Sequence, residues 1–213
     1  MTVTAVRKDL RSRTVTLEAE FDASPERVWQ LWADPRQLER WWGPPAYPAT
    51  VDAHDLRPGG RVAYRMTGPE GEDHRGYWDV DEVRPPHRLV FRDGFANRDG
   101  TPNAELPLTT MRVTIRDLGG GRTRMSIESE FPTVEAMERL AAMGTEEGRR
   151  QAVGQIDAIL AAAADEGAST PRRSGSGSSG PIRASSSAGG GRRRTRRRSR
   201  RTPCAPAAAS RTT

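Results

Sequence analysis

The order of apolar and polar residues predicts a strand and two short helices near the start of the chain. Residues 14–21 alternate between the two classes, which is typical of a strand with one buried face. Ser24 and Pro25 indicate the start of a helix, because serine caps free N–H groups and proline fits the first turn. Asp34 and Pro35 repeat that signal further along. We therefore expect a strand, a helix and a second helix in that order.

The second helix is predicted to end at a Trp-Trp-Gly-Pro sequence. Leu38, Trp41 and Trp42 follow the i, i+3, i+4 spacing of one apolar helical face. Gly43 and Pro44 come next, and the helix should end there because proline cannot continue it.

The chain then alternates again, with Gly and Pro turns between the alternating segments. This pattern is typical of antiparallel strands joined by short turns, and we expect about six of them. Residues 93–108 interrupt the pattern with Asn, Asp, Gly and Pro, so we expect a long mobile loop there. The strands that can be placed individually lie near residues 61–66, 75–84, 88–92, 111–116 and 125–131.

A helical pattern runs from Thr133, the expected N-cap residue, to about Ala164. Small residues occupy the middle of this segment, and Gly144, Gly148 and Gly154 each cost roughly 1 kcal/mol relative to alanine inside a helix. They leave room for a ligand, allow close packing on the sheet or, at Gly144, divide two helices. The sequence leaves these interpretations open. The expected inward row is Met137, Ala141, Gly144, Gly148, Ala152, Gln155 and Ile159.

This order of elements resembles the START-like (SRPBCC) superfamily and, within it, the heat-shock-protein-90 ATPase activator homologues. The resemblance covers residues 13–164 and rests on residues 21–29 and on the Trp-Trp-Gly-Pro sequence at 41–44. It implies an α+β helix-grip fold. In that fold a curved antiparallel β-sheet wraps around a long C-terminal helix, with two short helices after the first strand. It implies little about the reaction, because the fold hosts both carriers and enzymes.

The family fold also implies a pocket between the sheet and the last helix. One of the two adjacent tryptophans would form its rim, and the other would fill space beside the sheet. The two glutamines of the last helix are of interest because a buried amide needs partners and can orient a ligand, although Gln151 also fits a solvent-facing position. For any single apolar residue, ordinary core packing is the better interpretation. The candidate cavity residues are Trp41, Trp42, Tyr64, Met66, Trp78, Phe91, Met111, Val113, Met125, Ile127, Gly144, Gly148, Gln151, Ala152 and Gln155.

Motifs for catalysis or metal binding are missing from the sequence. It has no Gly-x-Ser-x-Gly elbow, Cys-x-x-Cys pair, paired-histidine spacing or functional phosphate loop. We therefore predict no metal and no cofactor, and the catalytic residues are unknown. His54 beside Asp52 or Asp55 is a candidate base, but only tertiary contact could bring such a pair together.

Charge divides the chain into two parts. The whole chain has 34 basic and 28 acidic residues, a net charge of +6 and a pI near 10.5. Residues 168–213 hold 12 of the basic residues and no acid, which leaves residues 1–167 with a net charge of −6. We predict one START-like domain over residues 1–167, and over residues 168–213 a disordered Ser/Gly/Arg-rich tail without enough apolar surface to fold.

The predicted tail offers charge without aromatic side chains. Eight arginines lie among the ten residues that begin with Arg192 and end with Arg201. They would make weak, non-specific contacts with polyanions, because nothing in the segment stacks on bases. Two other interpretations are open. The segment is an extension without a role, as a frameshift in a GC-rich bacterial gene produces, or it folds back onto the acidic domain.

Composition favours a cytoplasmic protein. The single cysteine, Cys204, cannot form an intramolecular disulfide, which fits a reducing compartment. We find neither a secretory signal pattern nor an apolar stretch long enough to span a membrane.

The pocket and the tail together support four hypotheses about function. The first is a START-like domain that binds an apolar or aromatic small molecule. The second is a polyketide-cyclase-like enzyme that uses one or two acid–base groups in the same cavity. A buried ionisable residue with a shifted pKa favours the enzyme, and an all-apolar cavity favours the carrier. A co-chaperone-like interaction domain and polyanion binding through the tail rank lower, and the oligomeric state is not predicted.

Overall fold

The computed structural model describes residues 3–168, and its main element is an antiparallel sheet of eight strands. In chain order these are β1 (Val3–Asp9), β2 (Thr14–Phe21), β3 (Ala49–His54), β4 (Arg61–Thr67), β5 (Asp73–Arg84), β6 (Arg88–Ala96), β7 (Thr109–Gly119) and β8 (Arg122–Glu130). Their order across the sheet is β1-β2-β8-β7-β6-β5-β4-β3. The strands from β3 to β8 therefore follow one another across the sheet, and β8 pairs with β2.

Five helices complete the described residues. They are α1 (Pro25–Ala33), α2 (Pro35–Glu39), α3 (Val134–Ala142), α4 (Thr145–Gly154) and α5 (Ile156–Ala168). α1 and α2 carry the chain from β2 to the edge strand β3, and the other three follow the last strand. The predicted α+β helix-grip fold is confirmed. No helix within residues 3–168 is both long enough and apolar enough to cross a membrane.

The start of the domain follows the sequence prediction closely. β2 has the predicted bounds, and its alternate side chains are buried. The Ser24 side chain caps α1 by accepting a hydrogen bond from the backbone N–H of Arg27. Asp34 caps α2 by accepting one from the backbone N–H of Arg36 at 2.8 Å. Local capping chemistry therefore sets both helix starts.

Two features of this region differ from the prediction. α2 ends at Glu39, and Trp41 and Trp42 lie in a turn whose N–H groups bond to the carbonyl oxygen of Leu38. The helix cannot continue because the chain folds back sharply at Gly43, towards the start of β3. Strand β1 was not predicted, because it is an edge strand whose side chains are mostly exposed and show no clear alternation.

The loop predicted for residues 93–108 is shorter in the structure. β6 continues to Ala96, because residues 93–96 pair with β5. The chain then turns back through a bridge between Ala96 and Pro102, and the N–H of Asn97 bonds to the carbonyl oxygen of Thr101. The prediction placed the start of the loop four residues too early, because a polar residue, Asp93, continues the strand and faces inward.

The predicted long C-terminal helix is three shorter helices in the structure. Thr133 caps α3 as predicted, by accepting a hydrogen bond from the N–H of Ala136 at 3.0 Å. Gly144 then separates α3 from α4 in the left-handed conformation, with φ +81°. A Cβ built on Gly144 would meet no atom within 4 Å, and one built on Gly148 would meet only Pro44, at 3.9 Å. Gly144 is thus a helix break, and neither glycine packs against the sheet.

Most of the predicted tail lies outside the described residues. This applies to residues 169–213, including the arginine segment from Arg192 to Arg201. The boundary at residue 168, the disorder of the tail and its contacts with polyanions all stay predictions.

Replacing Gly144 by alanine should destabilise the folded chain by about 1 kcal/mol, because an L-residue with a left-handed φ is strained. Gly154 is a matched control, since it lies in α4 without a positive φ and with open space at its Cβ position. Gly154→Ala should stabilise the chain by roughly 0.5–1 kcal/mol. Urea unfolding followed by circular dichroism measures both free energies of unfolding. Stabilisation by both substitutions would contradict a strained left-handed position at Gly144.

Candidate functional site

A cavity of about 540 Å³ lies between α4, the Trp-Trp-Gly-Pro turn and strands β4 to β6. Its volume falls within the range of about 300–1,000 Å³ that is typical of small-molecule sites. From the turn and β4, the predicted residues that line it are Trp41, Trp42, Tyr64 and Met66. From α4 and the break before it, they are Gly144, Gly148, Gln151 and Ala152.

Six other predicted residues do not line this cavity and lie in the packed core. Each of them is fully buried. They share one apolar cluster with the tryptophans of α1 and of the turn. These six residues are Trp78, Phe91, Met111, Val113, Met125 and Ile127.

The two adjacent tryptophans differ in their surroundings, although both border the cavity. Trp41 is fully buried, and its indole N–H donates to the carbonyl oxygen of Leu31 at 3.0 Å. Trp42 packs edge-on against Trp78 and Tyr64, with ring centroids 4.7 and 5.8 Å apart. Trp41 thus anchors the turn, while Trp42 lies between the core and the polar part of the cavity wall.

The two glutamines also have different places. Gln155 does not line the cavity, and its amide donates to the carbonyl oxygen of Gly43 at 2.8 Å. It therefore fixes the Trp-Trp-Gly-Pro turn from the side of the C-terminal helices. Gln151 is exposed at the edge of the cavity and donates to Glu147 at 2.8 Å.

The cavity wall contains a polar cluster whose two charged members were not predicted. It combines Asp93 from β6, Arg149 from α4 and the predicted Tyr64 from β4. The Tyr64 hydroxyl donates to Oδ1 of Asp93 at 3.0 Å. Nη2 of Arg149 lies 3.8 Å from Oδ2 of Asp93, and the two side chains are only 20% and 17% exposed. Nη1 of Arg149 donates to the hydroxyl of Ser129 on β8, so the cluster connects α4 to the sheet.

Burial shifts the pKa of every member of this cluster. It raises the pKa of Asp93 to about 6, although Arg149, Tyr64 and Trp78 each act to lower it. Burial also raises the pKa of Tyr64 well above its ordinary value, and the charge of Asp93 adds to this effect. Burial lowers the pKa of Arg149, whereas Asp93 acts to raise it. Near neutral pH the cavity wall therefore holds a carboxylate, a guanidinium and a neutral phenol.

Two indole N–H groups flank the cluster. Those of Trp42 and Trp78 are buried and have no hydrogen-bond partner among residues 3–168. Trp78 nevertheless lowers the pKa of Asp93, and Trp42 lowers that of Tyr64. Both N–H dipoles therefore favour negative charge at the carboxylate and the phenol.

Sequence signals for Asp93 and Arg149 exist but are easily missed. Asp93 has the same strand parity as the inward-facing Phe91, yet its polar neighbourhood suggests a loop. Arg149 directly follows Gly148 and precedes Ala152 by three positions, so it borders the inward row of the helix. Neither residue by itself indicates a site. Only the fact that both side chains face the same space does so.

The candidate histidine base has other partners in the structure. Nε2 of His54 lies 3.0 Å from the carbonyl oxygen of Trp32, which gives this ring a structural contact. Asp52 forms ion pairs with Arg65 and Arg75. The described residues contain no cluster of three or more potential metal ligands.

This sheet, the C-terminal helices and the cavity between them define a START-like domain with the polyketide-cyclase-like (SRPBCC) fold. The family model for the Activator of Hsp90 ATPase homolog 1-like protein matches residues 22–161, and the chain belongs to this family. The resemblance found in the sequence is thus confirmed.

Solved structures of bacterial proteins agree with this assignment. Protein Ms6760 from Mycobacterium smegmatis is 49% identical over 74% of this chain and 96% of its own, with a TM-score of 0.69. A protein from Arthrobacter aurescens, solved by NMR, is 48% identical over 76% of this chain and 93% of its own, with a TM-score of 0.73. A Rhodobacter sphaeroides protein is 25% identical over 74% and 98% of the two chains, with a TM-score of 0.63. No curated protein matches the chain.

Replacing Asp93 by asparagine should change how stability depends on pH. Because its pKa is raised in the folded chain, Asp93 contributes stability below its ordinary pKa of 3.8 that is lost as the pH rises through about 6. The Asp93→Asn variant does not lose stability in this way, because its side chain does not titrate. Its free energy of unfolding, relative to the unsubstituted chain, should therefore rise by roughly 2 kcal/mol between pH 4 and pH 7. Urea unfolding at several pH values measures this difference.

Glu147→Gln is the control for this experiment, because Arg150 and Gln151 lower the pKa of Glu147 to about 2. Its ionised form stabilises the folded chain, and that contribution is lost as the pH falls from its ordinary pKa of 4.5 towards 2. Above about pH 5, the free energy of unfolding of Glu147→Gln should therefore change with pH in the same way as that of the unsubstituted chain. If the free energy of unfolding of Asp93→Asn also changes in parallel with that of the unsubstituted chain from pH 4 to pH 7, the pKa of Asp93 is not raised in the folded chain.

Proposed function

We propose that this chain binds a small, mostly apolar or aromatic molecule in the cavity between α4 and the sheet. The observation that carries the proposal is the space beside α4. Gly144 and Gly148 present no side chain there, and a Cβ on either would meet no atom of the sheet within 4 Å. A cavity of about 540 Å³ is large enough for a molecule with two or three fused rings.

The composition of the wall supports the same proposal. The rings of Trp42, Tyr64 and Phe95 and the side chain of Met66 provide apolar contact surface. Aromatic walls contribute much binding area with few rotatable bonds. The polar groups of the wall include the cluster at Asp93, which would fix the orientation of a bound molecule.

Substituting Gly148→Leu should abolish binding, because the new side chain would extend into the cavity from α4. We would purify the full chain from its native host and record native mass spectra. The unsubstituted chain should carry a reproducible extra mass that is lost on denaturation, and the variant should not.

Gly154→Leu is the matched control, since this glycine is exposed, lies in the same helix and does not line the cavity. It should retain the bound molecule. Urea unfolding separates the two explanations for a loss of binding. Strong destabilisation of Gly148→Leu would indicate that the site is packed and not open, which would argue against the pocket.

The alternative is an enzyme that acts by acid–base chemistry in the same cavity, as a polyketide-cyclase-like protein would. The observation in its favour is Asp93, an inward carboxyl group whose pKa is raised to about 6. A carboxyl group with such a pKa can exchange a proton with a bound substrate near neutral pH. The Tyr64 hydroxyl, 3.0 Å from Asp93, would orient the carboxylate.

Incubating the eluted molecule with the full chain tests this alternative. If Asp93 acts as a base, conversion followed by mass spectrometry and chromatography should accelerate as the pH rises through about 6, because only the carboxylate accepts a proton. Asp93→Asn should slow conversion by at least about 100-fold, the lower end of general-base contributions. Recovery of the molecule unchanged would favour binding without turnover.

A further inference from the structure

Asp93 and Arg149 face each other across a gap in the cavity wall. Nη2 of Arg149 lies 3.8 Å from Oδ2 of Asp93, beyond the N–H···O distance of about 2.7–3.2 Å. The hydrogen bonds of this pair within residues 3–168 use other atoms, namely Oδ1 of Asp93 with Tyr64 and Nη1 of Arg149 with Ser129. Oδ2 of Asp93 and Nη2 of Arg149 therefore lie side by side at the cavity without a hydrogen bond between them.

The charges around the cavity are balanced within the protein. Each Asp, Glu, Lys or Arg side chain that lines the cavity has an oppositely charged neighbour within 4 Å. None of these charged side chains therefore needs an oppositely charged ligand to balance it. The pairs are Asp93–Arg149, Arg75–Asp52, Arg75–Asp73 and Glu147–Arg150.

We infer that the bound molecule carries an uncharged group that both donates and accepts a hydrogen bond, such as a hydroxyl or an amide, and that the Asp93–Arg149 pair selects it. This inference rests on the proposed function, and it names the chemical class of the ligand. The group donates to Oδ2 of Asp93 and accepts from Nη2 of Arg149, so it bridges the gap. The apolar remainder of the molecule lies against the aromatic wall.

Other ligand groups fit this pair less well. An anionic group would be attracted by Arg149 but repelled by Asp93, and a cationic group would be attracted by Asp93 but repelled by Arg149. An apolar group would exclude water from both charges without replacing its hydrogen bonds, which is costly for mostly buried ionised groups. A neutral group with one donor and one acceptor avoids each of these penalties.

Four probes with the same ring system test the inference. They are naphthylmethanol, naphthoate, naphthylmethylammonium and methylnaphthalene, titrated by fluorescence into the full chain at about pH 7.5, where Asp93 is ionised. Naphthylmethanol should bind at least about tenfold more tightly than each of the others, which corresponds to about 1.4 kcal/mol.

The Asp93→Asn variant should reverse the preference. Without the carboxylate the charge of Arg149 is unbalanced, so naphthoate should gain at least about tenfold in affinity and become the tightest probe. Asp79→Asn is the matched control, because Asp79 pairs with Arg61 and does not line this cavity. It should keep the original order of the four probes.

The outcomes separate this inference from the proposed function. Equal affinity for methylnaphthalene and naphthylmethanol, or tightest binding of either ion to the unsubstituted chain, overturns the inference and leaves small-molecule binding intact. Failure of all four probes to bind up to their solubility limits overturns the inference, and the native mass spectra of the full chain then decide the proposed function separately. The measurements on the unsubstituted chain decide both points even if Asp93→Asn does not fold.

Discussion

The Trp-Trp-Gly-Pro turn is the constraint on which the cavity depends. The side chain of Trp41, the first residue of the turn, is buried in the core. The amide of Gln155 donates a hydrogen bond to the carbonyl oxygen of Gly43 at 2.8 Å. Gly43 has no room for a side chain, because a Cβ there would overlap the carbonyl oxygen of Tyr47. The turn is thus held by the core on one side and by the C-terminal helices on the other. This fixes the ring of Trp42 as a cavity wall.

The Asp93–Arg149 pair is costly for a fold of this kind. Moving two charges out of water carries a desolvation penalty that their mutual attraction often fails to offset, and an apolar pair of similar size is frequently as stable. The raised pKa of Asp93 is the direct sign of that penalty. The pair faces the cavity, and Arg149 also bonds to Ser129, which supports the role in ligand recognition that we propose for it.

Local rules predicted the elements better than the site. The bounds of β2 and the cap of α1 at Ser24 follow from alternation and capping, which depend only on neighbouring residues. Asp93 and Arg149 were missed because they are distant in sequence, and a charged side chain in isolation predicts solvent exposure. The break at Gly144 was one of three open interpretations, since its left-handed φ depends on where α3 and α4 each pack.

Space and polarity in the cavity come from neighbouring positions of one short helix. Gly148 leaves room beside α4, and the next residue, Arg149, supplies the charge that partly offsets the effect of burial on Asp93. A movement of α4 away from the sheet would enlarge the cavity and also withdraw that charge. The volume of the cavity and the charge beside Asp93 therefore both depend on the position of α4, which begins at the helix break at Gly144.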